Sequence, residues 1–173
     1  MYARLLTVLL LLLQGGVWGS LAWAEDDGDE ELKQWQEVEI QFPPAPVSGN
    51  LLPLYVSAAT ANKFFIDGAS LSVGSDGVIR YVMVVETPGG GRNVTFEGMR
   101  CEAKARRIYA SGRLDGSWSK ARKSSWESIQ NAYANRQHAA LFLEYFCPYG
   151  IPVSSAAEAR DALVRGGHPD VRR

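Results

Sequence analysis

The spacing of apolar positions changes twice along the chain. Residues 5–13 are apolar without alternation, apart from Thr7. Between Leu51 and about Tyr109 the period is near two, and beyond Ala134 it is near that of a helix. The middle region predicts strands over 54–56, 64–66, 70–73, 78–86, 92–101 and 106–110. The stretch 78–86 (Val-Ile-Arg-Tyr-Val-Met-Val-Val-Glu) is the strongest, being β-branched, aromatic and of ordinary strand length. Its positions 82–85 are all apolar, which predicts a central strand covered on both faces. Asp67-Gly68, Gly74-Ser-Asp-Gly77 and Pro88-Gly-Gly-Gly91 separate the strands. Connections this short favour antiparallel hairpins over parallel crossovers.

The later region predicts helices. Ala139, Ala140, Leu143, Phe146 and Cys147 stand at helical spacing within 134–147, with Asn135 as N-cap and Pro148 and Gly150 as the stop. A second helix is expected from Ser155, where Ser155 and Glu158 have capping-box spacing. Ala159, Ala162 and Leu163 form its narrow apolar face, and Gly166-Gly167 closes it. Ser124 and Glu127 repeat the capping-box spacing and predict a third, short helix near Trp126. The fold class expected is α+β: an antiparallel sheet of about five or six strands packed with two or three C-terminal helices.

The chain ends read differently. A single basic residue, Arg4, precedes the apolar run, and Ala22-Trp-Ala24 places small residues at −3 and −1, the three parts of a secretory signal peptide. Gln14, Gly15 and Gly16 interrupt the run well short of the roughly 20 residues of a spanning helix. Cleavage after Ala24 is therefore expected, with no transmembrane segment afterwards and no cysteine at the junction to carry a lipid. The organisation expected is a signal peptide over 1–24, an acidic and Pro-rich linker over 25–50, a single α+β domain over 51–167 and a disordered tail over 168–173.

Charge sharpens that division. Residues 25–39 hold eight acids and one lysine, whereas from Ile40 onward sixteen Lys and Arg face eleven Asp and Glu. The near-neutral whole thus joins an acidic start to a basic body. The basic surplus reads as an ordinary solvated surface, as a face on which the acidic segment folds back, or as one for an anionic envelope partner such as lipopolysaccharide, peptidoglycan or another protein.

Cys101 ends a predicted strand and Cys147 ends the main predicted helix. In an exported chain they are expected to pair, pinning helix to sheet. The alternatives, a reactive thiol pair or a metal site, lack a Cys-x-x-Cys, a helix-start thiolate position and more than two histidines.

Candidate chemistry is sparse. His138 is the one histidine expected inside the fold, and no Gly-x-Ser-x-Gly accompanies it. The glycines at 89–91 precede a strand and no Lys-Ser or Lys-Thr, so they read as a hairpin turn rather than a phosphate cradle. Asn93-Val-Thr95 matches a glycosylation sequon inside a strand and is discounted. Trp118, Trp126, Tyr109, Tyr133 and Tyr145 read as packing aromatics. Arg80, Arg92 and Arg100 lie in the strongest strands, with Lys104, Arg106, Arg107 and Arg113 beyond. On one sheet face they could surround an anion; otherwise Glu86, Glu97 and Glu102 are the nearby acids to pair them. The candidate anion or ligand site is Arg80, Arg92, Arg100 and His138. No catalytic residue, metal ligand, cofactor or nucleic-acid partner is expected.

Several stretches in order resemble the CNP-like family, named for a cryptic neisserial protein. They are Lys63-Phe-Phe-Ile-Asp-Gly-Ala-Ser-Leu-Ser-Val-Gly74, Gly77-Val-Ile-Arg-Tyr81, Arg92-Asn-Val-Thr-Phe-Glu-Gly-Met-Arg-Cys101 and Ile108-Tyr-Ala-Ser-Gly112, then Trp118. Asn135-Arg-Gln-His-Ala-Ala-Leu141 and Tyr145-Phe-Cys-Pro-Tyr-Gly-Ile-Pro152 complete the series. The resemblance covers about residues 35–163 and implies a place in the Gram-negative envelope, with no catalytic residues to carry over. The order of aromatic, Asp, Ser, Cys, Tyr, Trp and Cys positions also resembles β-rich domains of the surface-adhesin E type. The expected role is a non-enzymatic periplasmic domain that binds or supports another envelope component. The alternatives are a cell-wall-acting hydrolase or transferase and a surface adhesin. Convergence of His138, Arg80 and Arg100 in one open cleft would favour an enzyme or ligand site, and dispersal a binding surface.

Overall fold

The alternating middle region builds one antiparallel sheet. In the computed structural model, which describes residues 35–131 and 136–171, its strands are β1 (Leu51–Leu54), β2 (Lys63–Asp67), β3 (Ser72–Val73), β4 (Val78–Glu86), β5 (Arg92–Arg100), β6 (Ala105–Gly112), β7 (Trp118–Lys120) and β8 (Glu127–Ser128). The order is β1-β2-β4-β5-β6-β7, with β3 also against β4 and β8 against β6. The sheet is therefore larger than the five or six strands expected. The signal peptide expected over 1–24, the acidic run 25–31, Tyr133 and the proposed cap Asn135 lie outside the described residues.

β4 and β5 form the centre, in register from Val78 opposite Arg100 to Glu86 opposite Arg92. The glycine-rich stretch is the hairpin turn between them, closed by Thr87 N–H donating to Gly91 O at 2.8 Å, with Gly90 at φ 81°. Pleating divides β4 cleanly. Ile79, Tyr81 and Met83 join the core beneath the helices, while Val82 and Val84 join a second core with Phe96 and Tyr109 on the other face. The expectation that β4 is covered on both sides holds.

The two covers differ in kind. One is helical: α1 (Arg136–Ala140) runs straight into a π-helical segment, Leu141–Phe146, and α2 (Ala156–Arg165) follows. The π segment changes which residues face inward. Cys147 N–H donates to Phe142 O, five residues back, at 3.0 Å. The wider turn rotates Leu143 out, leaving it half-exposed, and brings Leu141, Phe142, Tyr145 and Phe146 into the core. Ordinary helical spacing places Leu143 on the inner face, and the π turn is why it lies outside. α2 starts as expected, the Ser155 hydroxyl accepting from Glu158 N–H at 3.2 Å, and ends at Gly166 in the left-handed region at φ 74°. His168, expected in a frayed tail, is buried. Its N–H donates to Glu144 O at 2.7 Å, and its ring Nε2 lies 3.0 Å from Glu158.

The other cover is residues 35–47, extended and without ladder pairing. Read from sequence as part of a linker, this stretch lies across the sheet as a strap. Ile40 packs on the second core, Phe42 meets Phe96 edge-on at 6.0 Å, and Pro43 O accepts from the Trp118 indole N–H at 2.7 Å.

The short helix expected near Trp126 is absent, and Glu127–Ser128 pairs with β6 as a strand. The side chains read as a capping box are engaged elsewhere. Ser124 donates to Ile108 O at 2.8 Å and accepts from Arg107, while Glu127 pairs with Arg106 at 3.0 Å. These bonds to β6 outweigh a one-turn helix, which nucleates poorly.

Cys101 and Cys147 are disulfide-bonded, with Cα atoms 5.5 Å apart and both residues buried. The bond ties the end of β5 to the end of the π segment.

Candidate functional site

The register places Arg80, Arg92 and Arg100 on one face, opposite Gly98, Glu86 and Val78 respectively. They do not surround a shared opening. Arg80 is buried and its guanidinium grips Asp76 with two hydrogen bonds, 2.6 Å to Oδ2 and 3.1 Å to Oδ1. Asp76 comes from the turn before β4. Its carboxylate also accepts from the N–H groups of Val38 and Val78, at 2.9 and 3.2 Å. Burial alone would raise the Asp76 pKa, but these bonds and the Arg80 charge hold it below the ordinary carboxylate value.

The remaining partner is Glu37 on the strap. Its Oε1 accepts from Tyr109 OH at 2.5 Å and lies 3.4 Å from Arg80 Nη2, and its Oε2 accepts from Arg107 at 2.5 Å. An anion-receiving cluster of two guanidiniums and a phenol thus exists, and the chain's own carboxylate fills it. Burial and the bond to Glu37 push the Tyr109 phenol well above its usual range. Tyr109 reaches Glu37 because β6 carries an extra residue opposite the step from Phe96 to Glu97 and because β5 has glycine at 98. A Cβ at 98 would lie 2.2 Å from the Tyr109 hydroxyl and 2.8 Å from Cζ. Gly98→Ala must therefore swing the ring off Glu37. A loss of about 1–3 kcal/mol is expected in urea unfolding, with faster amide exchange at Val38 as the specific sign that the strap has loosened.

Arg100 serves the strap's start. Its guanidinium lies 3.5 Å from the Trp35 ring centroid and 5.8 Å from that of Trp126, while the two indoles meet edge-on at 6.0 Å. Trp126 is thus a packing aromatic, although its buried Nε1 has no hydrogen-bond partner among the described residues.

His138 sits on the opposite face. Its Nε2 is 2.8 Å from Glu97 Oε2, which also accepts from Tyr81 OH at 3.1 Å; Glu97 Oε1 accepts from Thr95 at 2.6 Å. All but Thr95 are buried, and His138 Nδ1 has no partner among the described residues. Burial would raise Glu97, but the adjacent His138 and the bonds from His138 and Thr95 more than offset that, and its pKa is lowered. Tyr81, buried against this carboxylate, is pushed well up.

Because Asp76 and Glu97 are depressed in the folded state, their stabilising effect is complete above the ordinary carboxylate values of 3.8 and 4.5. It is lost as pH falls through the lower folded values. Melting temperature should therefore hold steady from neutral pH down to about pH 5 and fall steeply below about pH 4. Replacing either acid by its amide should flatten that fall.

The acids singled out on and beside the neighbouring strands, Glu86, Glu97 and Glu102, are mostly not the arginines' partners. Only Glu86 serves one of them, Arg92, at 3.9 Å. Glu97 faces the helices, and the carboxylates holding Arg80 come from a turn and from the strap. Glu37 carried no local signal, whereas Asp76 stands only four residues before Arg80, in the turn that precedes β4. The Tyr81–Glu97 pair also carried one, since the two are directly opposite once β4 and β5 are paired. Among the described residues no group of three or more His, Cys, Asp or Glu side chains is placed to hold a metal ion, and no helix is long and apolar enough to cross a membrane.

Two candidate arginines border openings, Arg80 a smaller one of about 260 Å³ beside Gln41 and Ser72 and Arg92 a larger one. Arg92 lines a groove of about 730 Å³ on the strap side, beside Val94, Arg113, Leu114 and Trp118, with Ala45 and Pro46 as its far edge.

The sequence pattern of the CNP1-like family matches residues 30–164. The chain is also 22% identical over 162 residues to Cryptic neisserial protein 1 of Neisseria gonorrhoeae, covering 84% of this chain and 79% of that protein. No solved structure matches the chain.

Proposed function

This chain belongs to the CNP1-like family, and from that premise we propose that it is an exported, non-enzymatic domain of the cell envelope that binds or braces another envelope component. The observation that carries this reading is the separation of the polar groups. His138 is buried on the helical face with Nε2 against Glu97, while Arg80 and Arg100 are covered by the strap on the other face. A general base must reach a proton on substrate within hydrogen-bond distance or through one water. A buried histidine remote from both arginines supports a structural role instead.

The leader is removed after Ala24, and the mature protein resides in the periplasm, where an oxidising environment maintains the Cys101–Cys147 bond. Its partner is another envelope protein or an anionic envelope component, met through the basic body. The test uses native protein from fractionated cells. The expected result is an N-terminus at Glu25, recovery with periplasmic markers and no alkylatable thiol before reduction. Met1 still attached, or two free thiols, would overturn the reading. Cross-linking before lysis, followed by mass spectrometry, then identifies the neighbour.

A further inference from the structure

We propose that the groove between Ala45-Pro46 and the β6–β7 turn binds an acidic sugar, a ring carrying a carboxylate or a phosphate. This rests on the envelope-binding reading above and assigns it a contact surface. At about 730 Å³, the groove lies within the roughly 300–1,000 Å³ typical of sites that take a small organic ligand.

Its two guanidiniums are held more weakly than those of four other arginines. Arg80 and Arg107 hold Asp76 and Glu37, Arg106 holds Glu127, and Arg165 holds Asp161. Arg113 makes no ion pair among the described residues, only a 3.3 Å bond to the Ser117 hydroxyl. One carboxylate also lines the groove, a single negative charge against the two guanidiniums: Asp115 Oδ1 accepts from both the N–H and the hydroxyl of Ser117, at 2.9 and 2.7 Å. Those bonds, with nearby Arg113, keep Asp115 below the ordinary carboxylate value. Arg92 meets only Glu86, at 3.9 Å with both side chains more than two-fifths exposed, a contact that an incoming anion can displace at little cost. Two planar forks at one groove match a carboxylate or phosphate.

The same lining carries apolar side chains, Val94 and Trp118. Trp118 is half-buried, and its indole N–H is fixed to Pro43 O, so the ring stands at a set angle along the groove. Gly112 lets Val94 and the indole pack closely against β6, since a Cβ there would lie 3.0 Å from Val94 and 3.6 Å from the indole. Leu114, fully exposed at the turn tip, adds an apolar rim. An indole face accepts the C–H face of a sugar ring. An indole and two arginines in one groove suit a ring ligand better than an acidic peptide, whose side chains need separate holes.

The test titrates the full mature chain by calorimetry, with the Trp118 indole N–H followed by NMR. Trigalacturonic acid supplies the carboxylate arm and maltose 1-phosphate the phosphate arm. Maltotriose, inorganic phosphate and hexaglutamate are the comparisons. Saturable binding of at least one acidic sugar is expected, about tenfold or more tighter than any comparison, with a shift of the Trp118 signal. Arg92→Ala combined with Arg113→Ala should weaken it at least about tenfold while leaving the melting temperature unchanged, since both side chains are exposed. The proposal is overturned if neither acidic sugar saturates at millimolar concentration or if binding survives the double variant. It is equally overturned if hexaglutamate or phosphate alone binds as tightly. Any of these leaves the export and thiol measurements untouched, so failure here is separable from failure of the envelope reading.

Discussion

Replacing Glu97 with alanine is expected to destabilise the protein by about 3–5 kcal/mol, the cost of removing one partner from a buried ionic cluster. Glu97 is 2% exposed and accepts from three side chains on the helical face. Its Oε2 serves His138 and Tyr81, and its Oε1 serves Thr95. Truncation leaves the imidazole and the phenol without that acceptor in a site water does not reach, and a buried unsatisfied donor costs about 1–3 kcal/mol. Glu97→Gln retains an acceptor oxygen for part of the cluster and should lose less. Urea unfolding measures both variants. A loss below about 1 kcal/mol for the alanine variant would mean that the cluster relaxes onto other partners.

Removing the disulfide should cost about as much. Cys101 and Cys147 are separated by 46 residues, and loop closure over that length contributes about 4 kcal/mol in the chain-entropy model. The enclosed stretch includes β6, β7, β8 and α1, so the cross-link restrains the unfolded chain across much of the fold. The joint also lies where the helical layer meets the sheet, beside Phe146. Reduction, or Cys101→Ser with Cys147→Ser, is expected to lower stability by about 2–5 kcal/mol. For a domain at the low end of ordinary net stability, about 5 kcal/mol, this is enough for partial unfolding at growth temperature. Equal urea midpoints for oxidised and reduced protein would contradict it.

The sheet was legible where side-chain chemistry is local. The apolar 82–85 run identified β4 as central, and the two-residue period of β4 and β5 located Arg80, Arg92 and Arg100 on one face. Ser155 and Glu158 marked the start of α2 because a cap needs only neighbours three residues apart. The cover opposite the helices was not legible. Glu37 lies in an acidic, proline-flanked stretch, and nothing local distinguishes it from the solvated acids before it. Its role depends on Arg107 and Tyr109, some seventy residues later. Ser124 and Glu127 show the converse failure, a local capping pattern overridden by bonds to β6. Leu143 failed because one π turn resets the helical phase, and the sequence carries no mark for that insertion.

The site divided along the same line. His138 was visible as a lone histidine, but its partner sits on a strand 41 residues earlier and became evident only through the Tyr81–Glu97 pairing. Arg92, one of three similar strand arginines, differs from the others only because Glu86 holds it weakly and the strap ends beside it.

The two faces of β4 and β5 are each held by a carboxylate that bridges the sheet to its cover, Glu97 to the helices and Glu37 to the strap. A double-mutant cycle in urea between Glu97→Ala and His138→Ala tests this most directly. If the pair braces the helical face, the double variant should lose about 1–3 kcal/mol less than the sum of the single losses. Additive losses, or a His138→Ala variant as stable as the parent, would contradict it and return His138 to consideration as a residue kept for chemistry.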